Sequence, residues 1–209
     1  MLPIWKPVLS DDITRKSFRN LMMIVWASWF FRADEQFKSA TSSAMTRSNG
    51  QFNSIGLPIP VKIIGGVLDA MNEARVNAIQ NVFSSISVTT SAFIRGTYGC
   101  CFECRSIMVG ALQLEQHASG FLSLQPKSPY HKIPYIGVVN KMQAFKSPTW
   151  SDNKALPSKP KQKDSSPHEC GHSSFASIFS HLNSSIQGLE VVKFVVPVTT
   201  TLKRKQTDK

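Results

Sequence analysis

The sequence predicts an α+β fold: a single mixed domain of about three helices and several short strands, with a disordered Pro/Ser/Lys linker and a basic C-terminal tail. Three observations carry that expectation. Apolar residues are 42% of the 209-residue chain and include 13 Phe, enough to fill one core. Helix-period stripes alternate with short β-branched runs bounded by Gly, Pro or Ser. Residues 147–169 hold Pro148, Pro157, Pro160 and Pro167 among Ser and Lys, with little to bury beyond Trp150 and Leu156. The boundaries that follow are an extended arm at 1–9, a mixed core at 10–146, the flexible linker at 147–169, a helix–strand unit at 170–201 and the tail at 202–209.

Pro3 and Pro7 keep the arm extended, and Ser10, Asp11 and Asp12 offer N-caps for a helix from about Asp11 to Phe37. Its stretch from Leu21 to Phe31 is apolar nearly all round and must be covered by something. The polar stretch from Ser39 to Ser54 reads as a loop. Pro58 and Pro60 limit 55–64 to an edge strand that ends at Gly65 and Gly66. Val67, Met71, Ala74, Ala78 and Val82 then mark one face of a helix over roughly 66–83.

Ser85 to Ile94 alternates Ile86, Val88, Thr90, Ala92 and Ile94 and reads as a strand. Ile107 to Leu114, Phe121 to Leu124 and Ile133 to Val139 are short apolar runs, read as strands by length. Phe175, Ile178, Phe179, Leu182 and Ile186 form a helical stripe that Gly188 would end as a C′ glycine. Leu189 to Thr201 reads as an edge strand.

The formal net charge is +11, from 24 Lys and Arg against 13 Asp and Glu. Charged residues are only 18% of the chain, below the roughly 25% of a typical domain. Missing acids therefore make the imbalance, and a histone-like composition is excluded. The excess lies in residues 1–50, 105–146 and 202–209. In the second of these, Lys127, Lys132, Lys141 and Lys146 are interleaved with Tyr130 and Tyr135, a mixture that meets phosphates with cations and bases with rings. Lys203, Arg204 and Lys205 in the tail supply further phosphate contacts.

The most specific local pattern is the C-x-x-C of Cys101 and Cys104, taken with His168, Cys170 and His172. Such a set could hold a structural zinc, because a C-x-x-C loop brings two thiolates to one metal and a distant pair completes a tetrahedron. Cys100 adds a third thiol next to the pair. No G-x-S-x-G, G-x-x-x-x-G-K-[ST] or G-x-G-x-x-G occurs, and the few acids form no catalytic pair. The expectation is a non-enzymatic protein.

Three functional readings follow. The first is a basic accessory or structural protein whose seven named cations bind RNA or another polyanion. The second is a peripheral membrane-associated or self-assembling protein that uses Trp26, Trp29, Phe30 and Phe31 on an anionic membrane surface or in a homo-oligomer contact. The third is a zinc-stabilised interaction module; the first two need no cofactor. The four clustered Cys suit a reducing interior rather than a disulfide scaffold. An intracellular setting, cytoplasmic or nuclear, with mitochondrial import as the alternative, is expected.

Overall fold

A computed structural model describes residues 18–52, 61–122, 127–151 and 167–194, with the backbone alone at 61–65. The described residues form six α-helices: α1 Phe18–Phe30, α2 Asp34–Arg47, α3 Val61–Arg95, α4 Phe102–Ala118, α5 Tyr135–Gln143 and the single turn α6 Phe175–Ile178. A 3-10 turn follows at Val191–Phe194. No strand occurs among the described residues, so the expected α+β class is wrong; only an isolated antiparallel bridge pairs Ser151 with Pro167.

The reason is periodicity. Over 85–94 the buried side chains are Ile86, Thr89, Ala92 and Phe93, a helical spacing, whereas Val88 and Ile94 are 63% and 68% exposed. Hydroxyls that suggest a strand instead bond back to the helix: Thr90 Oγ1 donates to the Ile86 carbonyl and Ser85 Oγ to that of Val82. The run is thus the second half of α3, which at 35 residues is about 52 Å long. Ile107 to Leu114 lies in α4, which buries Cys104, Met108 and Leu112. Ile133 to Val139 runs into α5, which buries Tyr135, Val138, Val139 and Met142. Phe121 and Leu122 form a turn, and residues 61–64 of the proposed edge strand belong to α3. The run at 189–201 is no strand where it is described, residues 191–194 being the 3-10 turn, and residues 195–201 lie outside the described residues, as do 55–60, 123–124, the arm and the basic tail.

The long first helix divides in two. Arg32 takes a left-handed conformation (φ 54), its N–H donating to Trp29 and that of Ala33 to Ser28, the hydrogen bonds of a Schellman ending. The chain turns back there and α2 packs on α1, burying Leu21, Met22, Ile24 and Val25 against Phe37, Ala40, Ala44 and Met45. The polar stretch expected as a loop is largely α2. Its hydroxyls face another segment: Ser42 Oγ donates to the Ile186 carbonyl, while Thr46, Thr41 and Asp34 accept the N–H groups of Ile186, Leu189 and Val191. Chain 186–191 is thereby stitched along α2. Gly188 is the point of closest approach, since a Cβ there would strike the Lys38 carbonyl. It does not cap the helix expected over 175–186, which shrinks to α6.

Arg75 of α3 is 1% exposed. Its guanidinium donates to the carbonyls of Ser48, Pro129, Tyr130 and Ile133, tying α2, α3 and the loop 127–134 together. Phe145, Phe175 and Phe179 close the other end of the same core with ring centroids about 6 Å apart.

Candidate metal centre

At the C-terminus of α3 the chain reverses through Gly96 (φ 79) and Gly99 (φ 85) and enters α4. Cys101 is the N-cap, its Sγ accepting from the Cys104 N–H at 3.4 Å. That role turns Cys101 inward along its own helix. Cys100, one residue earlier, and Cys104, in the first turn, take the positions that a C-x-x-C pair would have held. Across from them, the bridge between Ser151 and Pro167 and the 2.7 Å hydrogen bond from His168 N–H to the Trp150 carbonyl fix the start of segment 167–173. The Trp150 indole stacks on the His168 ring, centroids 4.4 Å apart. Ser173 Oγ accepts from Cys170 N–H and donates to the Cys170 carbonyl, which closes the next turn.

These elements bring Cys100, Cys104, His168 and Cys170 together with all four donor atoms within 4.8 Å of one another. Cys100 Sγ lies 3.4 Å from His168 Nε2, and Cys104 Sγ 3.7 Å from Cys170 Sγ. A tetrahedral zinc, with bonds of about 2.3 Å to sulfur and about 2.0 Å to nitrogen, sets two sulfurs about 3.8 Å apart and sulfur and nitrogen about 3.5 Å apart. The donor set matches that ion in number and in these two distances.

The thiols are not equivalent. Desolvation pushes Cys100 up to about 12, helped by its hydrogen bond with Cys101 and by repulsion from Cys104. Cys104 is also raised, chiefly by burial. At Cys170 desolvation again pushes upward, but the His172 backbone N–H and then His168, Cys104 and Cys100 outweigh it and bring the thiol down to about 7. One thiolate is thus available near neutrality, as a first ligand for an incoming cation.

Of the five candidate ligands named from sequence, Cys104, His168 and Cys170 converge. His172 does not join them; its ring stacks on Tyr98 at 4.2 Å. Cys100 replaces Cys101, and the signal for it was the position of the helix start, which decides which adjacent thiol caps and which ligates.

The candidate phosphate contacts distribute differently. Lys127, Lys132 and Lys141 border one cleft, and Lys146 is exposed beyond α5. Tyr130 and Tyr135 are buried, their hydroxyls donating to Gln80 Oε1 and to the Asn183 carbonyl, so neither ring presents a face to a base. Lys203, Arg204 and Lys205 lie outside the described residues. On α1, Trp26 and Trp29 are half-buried against the core, while Phe30 and the adjoining Phe31 are exposed. Among the described residues no helix is long and apolar enough to cross a membrane. Comparison with protein-family models, with curated proteins and with solved structures finds no match.

Proposed function

We propose that the protein is a zinc-stabilised helical module, with Cys100, Cys104, His168 and Cys170 as the four ligands of one structural Zn2+. The observation that carries this reading is the spacing of the donor atoms, 3.7 Å between two sulfurs and 3.4 Å between sulfur and imidazole nitrogen. Four protein ligands close a tetrahedral shell and leave no position for substrate, the arrangement of structural rather than catalytic zinc. The ligands come from two regions far apart in sequence. The metal would therefore fasten segment 167–173, and the chain it leads into along α2, to the corner between α3 and α4. Without metal, that corner is held among the described residues by the Tyr98–His172 stack, thiol contacts and hydrogen bonds, which the ion would supplement.

Metal content of the full chain tests the reading. One zinc per chain in native mass spectra, removed by a strong chelator together with a large drop in thermal midpoint, is the expected result. A chain that purifies without metal, binds none when zinc is added under reducing conditions and unfolds at the same temperature with or without chelator would refute it. A Cys104–Cys170 disulfide in the reduced, zinc-supplied protein would refute it equally.

A further inference from the structure

On the far side of the loop pinned by Arg75 lies a cleft of about 890 Å3, near the upper end of the range for small-molecule sites. Phe83, Phe121, Ile133, Pro134 and Val138 give it an apolar wall. Lys127, Lys132 and Lys141 stand around it, and among the described residues no acidic side chain lines it. Lys141 is held in place, its Nζ donating to the Ser119 carbonyl at 3.1 Å and lying 5.6 Å from the centre of the Phe121 ring. Opposite, Tyr130 (φ 57) and Lys132 (φ 61) are both in the left-handed region that side-chain-bearing residues avoid. Such strain persists only where surrounding structure enforces it, and here the Arg75 hydrogen bonds to Pro129, Tyr130 and Ile133 do so.

We infer that this cleft binds an amphipathic anion, a hydrocarbon body ending in a carboxylate or phosphate, with the apolar wall against the body and Lys127, Lys132 and Lys141 around the head. Charge complementarity selects an anion, because a concave surface with three cations and no acid gathers negative charge. The wall selects hydrocarbon over a nucleobase. A base needs partners for its polar edge; apart from the cations, the described lining offers Ser119, Ser128, His131 and Tyr130 as polar side chains, and the Tyr130 hydroxyl already donates to Gln80 Oε1. This inference is independent of the zinc site.

The test is isothermal titration of the full, zinc-supplied chain with oleate below its micelle concentration, and with oleyl phosphate, oleyl alcohol and AMP. One molecule of oleate or oleyl phosphate per chain should bind, the tighter of the two identifying the head group. Oleyl alcohol should bind about tenfold more weakly or worse, since it lacks the charge-assisted contacts. Lys127→Gln with Lys132→Gln should weaken the anions by about tenfold and leave the alcohol unchanged. Both lysines are exposed, so the fold should survive, and an unchanged thermal midpoint verifies it. Ile133→Trp, which fills the cleft, should block both anions and alcohol. Binding of AMP in preference to oleate, equal affinity for alcohol and acid, or anion binding unaffected by the lysine changes would overturn the proposal.

Discussion

Arg75 donates a 2.9 Å hydrogen bond to the carbonyl of Tyr130, 55 residues further along the chain, from a position where it is 1% exposed. Its four partners among the described residues are backbone carbonyls, so dipoles satisfy the cation there. Burial lowers its pKa, and a guanidinium still stays charged at neutral pH. The residue serves as a bracket that fixes the strained loop against α2 and α3.

Replacing Arg75 by Met should cost about 3 kcal/mol or more, because the buried carbonyls lose charged donors and find none to replace them. Arg75→Lys should recover less than half of that, since an ammonium cannot reach carbonyls spread around a planar fork. Urea denaturation gives the comparison. A loss below about 1 kcal/mol for the Met variant would show that the loop is held by other contacts.

Gly188 and Gly110 should respond in opposite ways to alanine. A Cβ at Gly188 would meet the Lys38 carbonyl and force 186–191 away from α2, at a cost of about 1–3 kcal/mol. Gly110 sits in mid-α4 with open space around it, so alanine there should add about 0.5–1 kcal/mol. Thermal midpoints of the two variants, moving in opposite directions, check the helical assignment of α4 and the close approach together.

Stability should fall at alkaline pH through Tyr135. Burial raises its phenol above the ordinary value of 10, so ionisation is harder folded than unfolded. Its contribution is complete below the unfolded pKa and is lost as pH rises through the folded one. Denaturation profiles above about pH 9 should therefore be steeper for the wild type than for Tyr135→Phe. The variant should also be about 1 kcal/mol less stable at neutral pH, having lost the bond to the Asn183 carbonyl. Parallel profiles would contradict the assignment.

Zinc affinity should decrease as pH falls, since each bound thiolate must shed its proton and each protonated imidazole cannot ligate. Competition with a chromophoric chelator at several pH values measures this. An affinity that is flat from about pH 8 to 6 would mean that the metal is not on the thiols.

The sequence made parts of this fold readable and hid others for physical reasons. The stripe from Val67 to Val82 has the helical period and no competing one, and α3 runs through it. Beyond Val82, Ile86 satisfies both a strand's alternation and a helix's spacing, and only the exposure of Val88 and Ile94 decides between them. The break at Arg32 carries no Gly or Pro to announce it. Arg75 looks like any helical surface cation until the loop 127–134 folds over it. At the candidate metal centre the clustering of Cys and His named three of the four side chains that converge, while the fourth turned on Cys101 acting as N-cap, which depends on where α4 begins.

That distinction gives the most direct measurement of the central claim: zinc stoichiometry and the Co2+ spectrum of Cys100→Ala and Cys101→Ala, side by side. Cys101→Ala should keep one metal per chain and the charge-transfer band of three thiolates, with only a modest loss of stability from the missing cap. Cys100→Ala should lose a thiolate from the spectrum and bind the metal about 10–100-fold more weakly. If Cys101→Ala loses the metal and Cys100→Ala keeps it, or if neither chain nor parent binds any, the Cys100–Cys104–His168–Cys170 centre does not exist.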